Sequence, residues 1–281
     1  MRLSVVIITY NALAFLKPCL ESLREVLDSP DAELILVDNG SSDGTVNYVK
    51  QHFPQIRLIE LDRNRGISYA RNRGIEKAVG EYVLLLDSDT VANREAIDGM
   101  VTYMDANPRV GICGCRLLSI DNKIQDSFKK YPSIGYKANN LLIAIAGKLK
   151  LKGLVRSLEK RNGHYTYGDP ALITSPFSPT YLIGACQMIR KTMIAEIGLL
   201  DEHIFYGPED ADFCLRTAAA GWEVVYLPQF SITHHWQRST GKKIFSPLTF
   251  KHIKALLYFY RKYGCSLRVM STVAKRSGDV S

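Results

Sequence analysis

Read from its amino end, the chain alternates two hydrophobic patterns. Residues 4–8 form a short apolar run of strand length, and Leu13, Leu16, Leu20 and Leu23 then recur at helical spacing. Pro18 fits the first turn of that helix, where its missing N–H costs nothing. The exchange of periods repeats, with strands expected at 33–37, 56–61 and 82–86 and helices at 45–52, 67–79 and 94–105. Such regular alternation predicts an α/β fold, a mainly parallel sheet with helices on both faces. Ligands of such sheets gather beyond the carboxyl ends of the strands.

Polar residues cluster at those ends. Thr9-Tyr10-Asn11 follows the first strand, and Asp38-Asn39-Gly40-Ser41-Ser42-Asp43-Gly44-Thr45 the second. Asn64-Arg65-Gly66 follows the third and Asp87-Ser88-Asp89 the fourth. Each has a plain explanation as a turn or helix cap. Four at one edge predict a pocket. Within it, Asp87 and Asp89 end a buried strand in paired carboxylates, a donor set suited to a hard divalent ion.

Beyond Arg116 the alternation fades. Residues 140–147 have helical character, while Lys148-Leu149-Lys150-Leu151-Lys152 alternates like a strand, so this segment reads both ways. Order returns with a strand over 181–189 and a helix over 192–197. A helix from about Ala211 stops at Gly221, a strand covers 222–227, and His234-His235 lies just past it. Strand alternation turns those two histidines to opposite faces, so only one of them meets the pocket.

Taken in order, these residues resemble the family 2 glycosyltransferases. The resemblance rests on Thr9-Tyr10-Asn11, the 38–45 loop, Asn64-x-Gly66, Ala70-Arg71-Asn72-x-Gly74, Asp87-Ser88-Asp89, Gly184-Ala185, Glu209-Asp210-x-Asp212 and His234, and runs from about residue 4 to 239. It implies the GT-A fold, with a Rossmann-like central sheet, and inverting transfer from a nucleotide diphosphate-sugar donor. Gly184-Ala185 and the acidic motif in its aromatic setting look most like rhamnosyltransferase-type members that build bacterial surface polysaccharide such as O-antigen. By the same resemblance Asp38 recognises the base, with Thr9, Tyr10 and Asn11 lining its slot. Asn64, Gly66, Arg71, Asp87 and Ser88 serve the rest of the donor. Asp89 and His234 hold Mn²⁺ or Mg²⁺, and Asp210, with Glu209 beside it, is the base that takes the acceptor proton. Without the resemblance Arg71 reads as a surface helix arginine, and the acidic pair as a helix start favoured by the dipole. Asp212 reads as structural, paired with Arg216 at helical spacing. Two departures, Trp236-Gln237-Arg238 in place of a glycine-rich run and Gly207-Pro208 before the acidic pair, fall on the acceptor side.

Charge and composition narrow the partners. The net charge is +8 over 281 residues, yet the stretches 148–161 and 238–276 together carry +15, leaving −7 for the remainder. Positive charge is therefore regional and predicts polyanionic partners. The basic residues avoid the strand-edge pocket and no nucleic-acid-reading signature is present, so no nucleic acid is expected as partner. A sugar-phosphate nucleotidyltransferase would carry a glycine-rich basic loop after the first strand, and Thr9-Tyr10-Asn11-Ala12 is not one. Nor is there a P-loop or dinucleotide fingerprint. Six cysteines in a chain of this length read as reduced, buried thiols. With no signal peptide at the strand-like start, a cytoplasmic location is expected. The expected organisation is one catalytic domain over 1–240, with a nucleotide-sugar half at 1–116 and an acceptor half at 117–240. A basic amphipathic helical tail follows at 241–281. Ile253, Leu256, Leu257 and Tyr260, with Lys251, Lys254, Arg261 and Lys262 around them, read as a face for an anionic membrane, where a glycan or lipid-linked acceptor would wait.

Overall fold

The computed structural model describes residues 1–132, 134–162, 166–235 and 247–264. One eight-stranded sheet runs through it. Its strands are β1 (Leu3–Thr9), β2 (Ala32–Asp38), β3 (Arg57–Glu60), β4 (Tyr82–Asp87), β5 (Thr90–Val91), β6 (Val110–Leu118), β9 (Cys186–Arg190) and β10 (Glu223–His234), and β7 (Phe128–Lys129) pairs with β8 (Tyr181–Leu182) in a small second sheet. The order β3-β2-β1-β4-β9-β6-β10-β5 is parallel among β3, β2, β1 and β4 and between β6 and β10. Strand β9 enters antiparallel between β4 and β6.

Helices cover both faces because the strands are apolar on both. Val5, Ile7, Leu34, Leu36, Leu84 and Leu86 face one core, filled from α1 (Leu13–Ser22), α2 (Arg24–Leu27), α3 (Thr45–His52) and α5 (Arg94–Ala106). Val6, Ile35, Val37, Val83 and Leu85, one residue out of phase, face the other. That side is filled by α4 (Ile67–Lys77), α8 (Lys191–Ile197), α9 (Glu209–Ala219) and α10 (Pro247–Tyr263). Among the described residues five cysteines are free and buried, as expected.

Three local expectations are corrected and one left open is settled. Pro18 sits inside α1, not in its first turn, because the Asp43 carboxylate accepts from the Leu13 N–H (2.9 Å) and fixes the helix start there. The run 181–189 is two strands, interrupted by Ile183-Gly184-Ala185. The strand at 222–227 continues to His234, with its register to β6 broken between Leu227 and Ser231, where Pro228 has no N–H to give the ladder. Finally, residues 148–152 are no strand: α6 (Ile134–Lys148) and α7 (Lys152–Asn162) form a helical hairpin, and Lys150 turns the chain at φ 55°.

The basic tail is helical over α10 and packs on the body through Ala255 and Phe259. Lys262 donates to Asp201 and Asp212 (2.7 Å each) and Tyr263 to Asp212 (2.7 Å), so Lys262 is committed to the protein rather than to a membrane. Ile253 and Leu257 remain exposed, with Lys254 and Arg261. Residues 265–281 of the expected tail lie outside the described residues.

Candidate active site

The carboxyl ends of β1, β2 and β4 open onto a cavity of about 690 Å³. Thr9, Tyr10, Asn11, Asn64, Gly66, Arg71, Asp87, Ser88, Asp89, Glu209, Asp210 and His234, all expected from the sequence, line it together. Asp38 is the exception. It closes β2 as the register partner of Thr9, is 2% exposed and is not on the lining; its Oδ2 accepts from the Ser41 N–H (2.9 Å) in a turn. Asp38 Oδ1 and Thr9 Oγ1 are buried without a hydrogen-bond partner among the described residues. Asn39, which had no role of its own in the sequence reading, does line the cavity. Its amide holds the third loop in place, accepting from the Arg65 N–H (2.9 Å) and donating to Asn64 Oδ1 (3.2 Å). Asn11 ties the first two loops, accepting from the Ser42 N–H (2.8 Å).

Asp87, Asp89 and His234 offer ligand atoms that lie within 4.8 Å of one another. His234 reaches Asp89 because β10 pairs with β5, setting His234 against Thr90, directly after Asp89. His234 Nε2 lies 3.4 Å from Asp89 Oδ1, whereas the His235 ring lies against Phe15. On the far side of the imidazole, Nδ1 is 2.8 Å from Gln125 Oε1, and Gln125 Nε2 donates to the His234 carbonyl (2.8 Å). An amide oxygen can only accept, so Nδ1 carries the proton and Nε2 is the atom left for an ion. Burial works against the imidazolium, but the Asp89 hydrogen bond and the charges of Asp89 and Asp87 outweigh it and leave the ring above its ordinary pKa. Gln125 was missed in the sequence; no spacing links it to a histidine 109 residues later. Gln125→Leu should leave the ring unoriented and weaken divalent-ion affinity about 10- to 100-fold, measured by calorimetry with Mn²⁺.

Arg71 is not a surface residue. It is 2% exposed, and its Nη2 donates to Asp87 Oδ1 and to the Gly184 carbonyl, each at 2.7 Å. A Cβ on Gly184 would stand 2.5 Å from the guanidinium, so any side chain there would displace Arg71 from its partners. Nη1 lies 3.6 Å from Glu209 Oε1, beyond hydrogen-bond reach; Nη1 and Glu209 Oε2 are both buried without partners among the described residues. Lost hydration raises the Asp87 carboxyl; Arg71 opposes this and Asp89 adds to it.

The acidic pair starts α9, where the helix dipole favours acids, and also borders the cavity. Burial first, and then the charge of Asp210, push the Glu209 carboxyl up to about 7, with Arg71 pulling it back. Asp210 is partly open to the cavity and accepts from the Gly184 N–H (3.3 Å); burial raises it, against the Ala211 N–H and the charge of Lys129. Asp212 is structural, as its spacing suggested, accepting from Arg216 Nε (2.9 Å). Pro247, Leu248 and Lys251 of α10 add a further wall, with Lys251 Nζ 3.6 Å above the Phe205 ring. Residues 236–238, where the motif pattern departs, lie outside the described residues.

The chain is 28% identical over 268 residues to the N-acetylglucosaminyl-diphospho-decaprenol L-rhamnosyltransferase of Mycobacterium tuberculosis, covering 91% of this chain and 83% of that protein. It is 27% identical to the dTDP-rhamnosyl transferase RfbF of Shigella flexneri, covering 82% of this chain and 67% of that one. Among solved structures, the mannosyltransferase PcManGT of Pyrobaculum calidifontis, in complex with GDP-Man and Mn²⁺, superposes with a TM-score of 0.57 at 19% identity, over 100% of this chain and 76% of the other. S. aureus TarS 1-349 in complex with UDP gives 0.52 at 21% identity, over 83% of this chain, which spans only 60% of the TarS chain. At such identities the structural likeness speaks for the GT-A fold. The glycosyl transferase family 2 model matches residues 4–198, and so the chain belongs to that family, as a rhamnosyltransferase-like glycosyltransferase acting on nucleotide-sugars.

Proposed function

We propose that the protein is a divalent-metal-dependent, inverting transferase that moves rhamnose from dTDP-rhamnose to a hydroxyl of a lipid-linked glycan, in the assembly of a bacterial surface polysaccharide. The observation that carries the reading is the meeting, in one cavity, of the Asp87–Asp89–His234 cluster and the Glu209–Asp210 pair. The names of two relatives support the sugar, and one of them supports a lipid-diphosphate acceptor.

Asp89 and His234 Nε2 would hold Mn²⁺ or Mg²⁺, two donors that leave room for diphosphate oxygens. Bound there, the ion supplies charge to stabilise the departing diphosphate. The chain's own residues do the rest. Thr9 Oγ1, on the cavity lining and without a partner among the described residues, is the acceptor available to the N3–H of the thymine, with Asp38, its register partner on β2, beside it. Arg71 keeps Asp87 oriented through Nη2 and has Nη1 left for the donor. Asp210 takes the proton of the attacking hydroxyl, in an environment where burial keeps its carboxylate basic. Glu209 fixes the electrostatics beside it. The acceptor side is closed by Phe205, Lys129 and the first turn of α10. We place the enzyme at the cytoplasmic face of an anionic membrane. No described helix is long and apolar enough to cross one.

A thermal-shift series with dTDP-rhamnose, UDP-sugars and GDP-mannose, each with and without Mn²⁺, tests the donor. The largest rise in melting temperature is expected for dTDP-rhamnose with metal. A larger shift with another nucleotide, or shifts indifferent to metal, overturns the assignment.

A further inference from the structure

Residues 134–162 hold seven Lys or Arg against a single acid, Glu159. They make the α6–α7 hairpin, whose helices pack mainly on each other through Ala146 and Leu158, with Asn139 donating to the Leu158 carbonyl (2.8 Å). That packing leaves an uncovered outer side. Leu142, Ile145 and, just past the helix end, Leu149 recur at i, i+3 and i+7 and are 48%, 47% and 63% exposed. Leu151 and Leu154 beyond the turn are 47% and 49% exposed. At the tip Lys148, Lys150 and Lys152, all exposed, interleave with Leu149 and Leu151. Clustered aliphatic side chains in water mark a surface that meets another body. The hairpin also leaves the body beside the cavity: it begins at Ile134, five residues after Lys129 on the cavity wall, and the intervening Tyr131 and Pro132 are hydrogen-bonded to Gly264 and Tyr260 at the end of α10.

We propose that the α6–α7 hairpin is the element by which the protein docks on an anionic phospholipid bilayer, its leucines entering the interface and its lysines meeting the headgroup phosphates. The chemistry selects that occupant. A second copy of this face would bring the same excess of positive charge and be repelled, whereas an anionic leaflet offers opposite charge above an apolar layer. Lysine stems can lie along the buried leucines while their ammonium groups stay with the phosphates. The inference deepens the membrane reading given above, and moves the principal contact from the tail to the hairpin.

The test floats the full chain with phosphatidylglycerol–phosphatidylcholine vesicles and with phosphatidylcholine alone, at low and high salt. The parent should float with the anionic vesicles and be released as salt rises. The variants L149Q/L154Q and K148Q/K150Q/K152Q should each lower the partition coefficient roughly tenfold or more, and K254Q/R261Q on the outer side of α10 by less. These tip positions are exposed, so unchanged melting temperatures should accompany the loss. The proposal falls if either hairpin variant floats like the parent, or if K254Q/R261Q is the variant that releases the protein. It falls equally if sedimentation shows the hairpin variants breaking a dimer, or if RNA rather than vesicles retains the parent. No donor or acceptor is present in the assay, so an error in the sugar or the acceptor leaves its outcome untouched.

Discussion

Asp89→Ala is expected to remove metal-dependent donor binding and to lower transfer by about three decades, several kcal/mol of charge stabilisation at roughly 1.4 kcal/mol per decade. Asp89 is the member of the cluster whose loss does least harm to the fold. Its carboxylate faces His234 and the cavity, and its charge raises the Asp87 carboxyl nearby, so its removal relieves a repulsion. The backbone carbonyl of residue 89, which accepts from the His235 N–H, survives the change. Calorimetry of the dTDP–Mn²⁺ pair reads the outcome directly. Affinity equal to the parent's would remove Asp89 from the metal site, whatever the effect on turnover.

The second large effect concerns the proton. Asp210→Asn should cost about two to four decades in turnover while donor affinity stays within a few-fold of the parent's, because the proton moves only in the transition state. The pH profile adds the sign. Glu209 is lifted to about 7, so the acidic pair gains a proton as pH falls through that value, and kcat/KM should fall with it. Glu209→Gln removes the group that titrates near 7, so the acid limb should move to lower pH with activity largely retained. An enzyme that tolerates Asp210→Asn and dies with Glu209→Gln would reverse the two roles.

The sheet and the pocket were legible because they follow from short-range pattern. The strands ending at Thr9, Asp38 and Asp87 are unbroken apolar runs, and a mainly parallel sheet must put their polar ends on one side. The two-residue period of a strand allowed only one of His234 and His235 to meet the pocket and the resemblance chose His234; the described strand β10 ends at His234 with that ring toward Asp89. What was not legible depends on partners distant in sequence. Arg71 reads as an ordinary helix arginine until β9 brings the Gly184 carbonyl to it. Gln125 and Asn39 are plain loop amides until the fold gives them His234 and Asn64. The Lys–Leu alternation at 148–152 left helix and strand both open, and three residues between two helices account for it.

The wall supplied by α10 bears on where the working unit of this chain ends. The family model matches residues 4–198, whereas Glu209, Asp210, His234 and Lys251, which complete the cavity, all lie beyond it. The helix that carries the acidic pair is also the one to which Lys262 and Tyr263 are fastened through Asp212. The cavity is thus lined jointly by residues of the matched portion and by residues that follow it. A chain cut at residue 198 would therefore keep the first part of the cavity's lining and lose the acidic pair, His234 and Lys251 together.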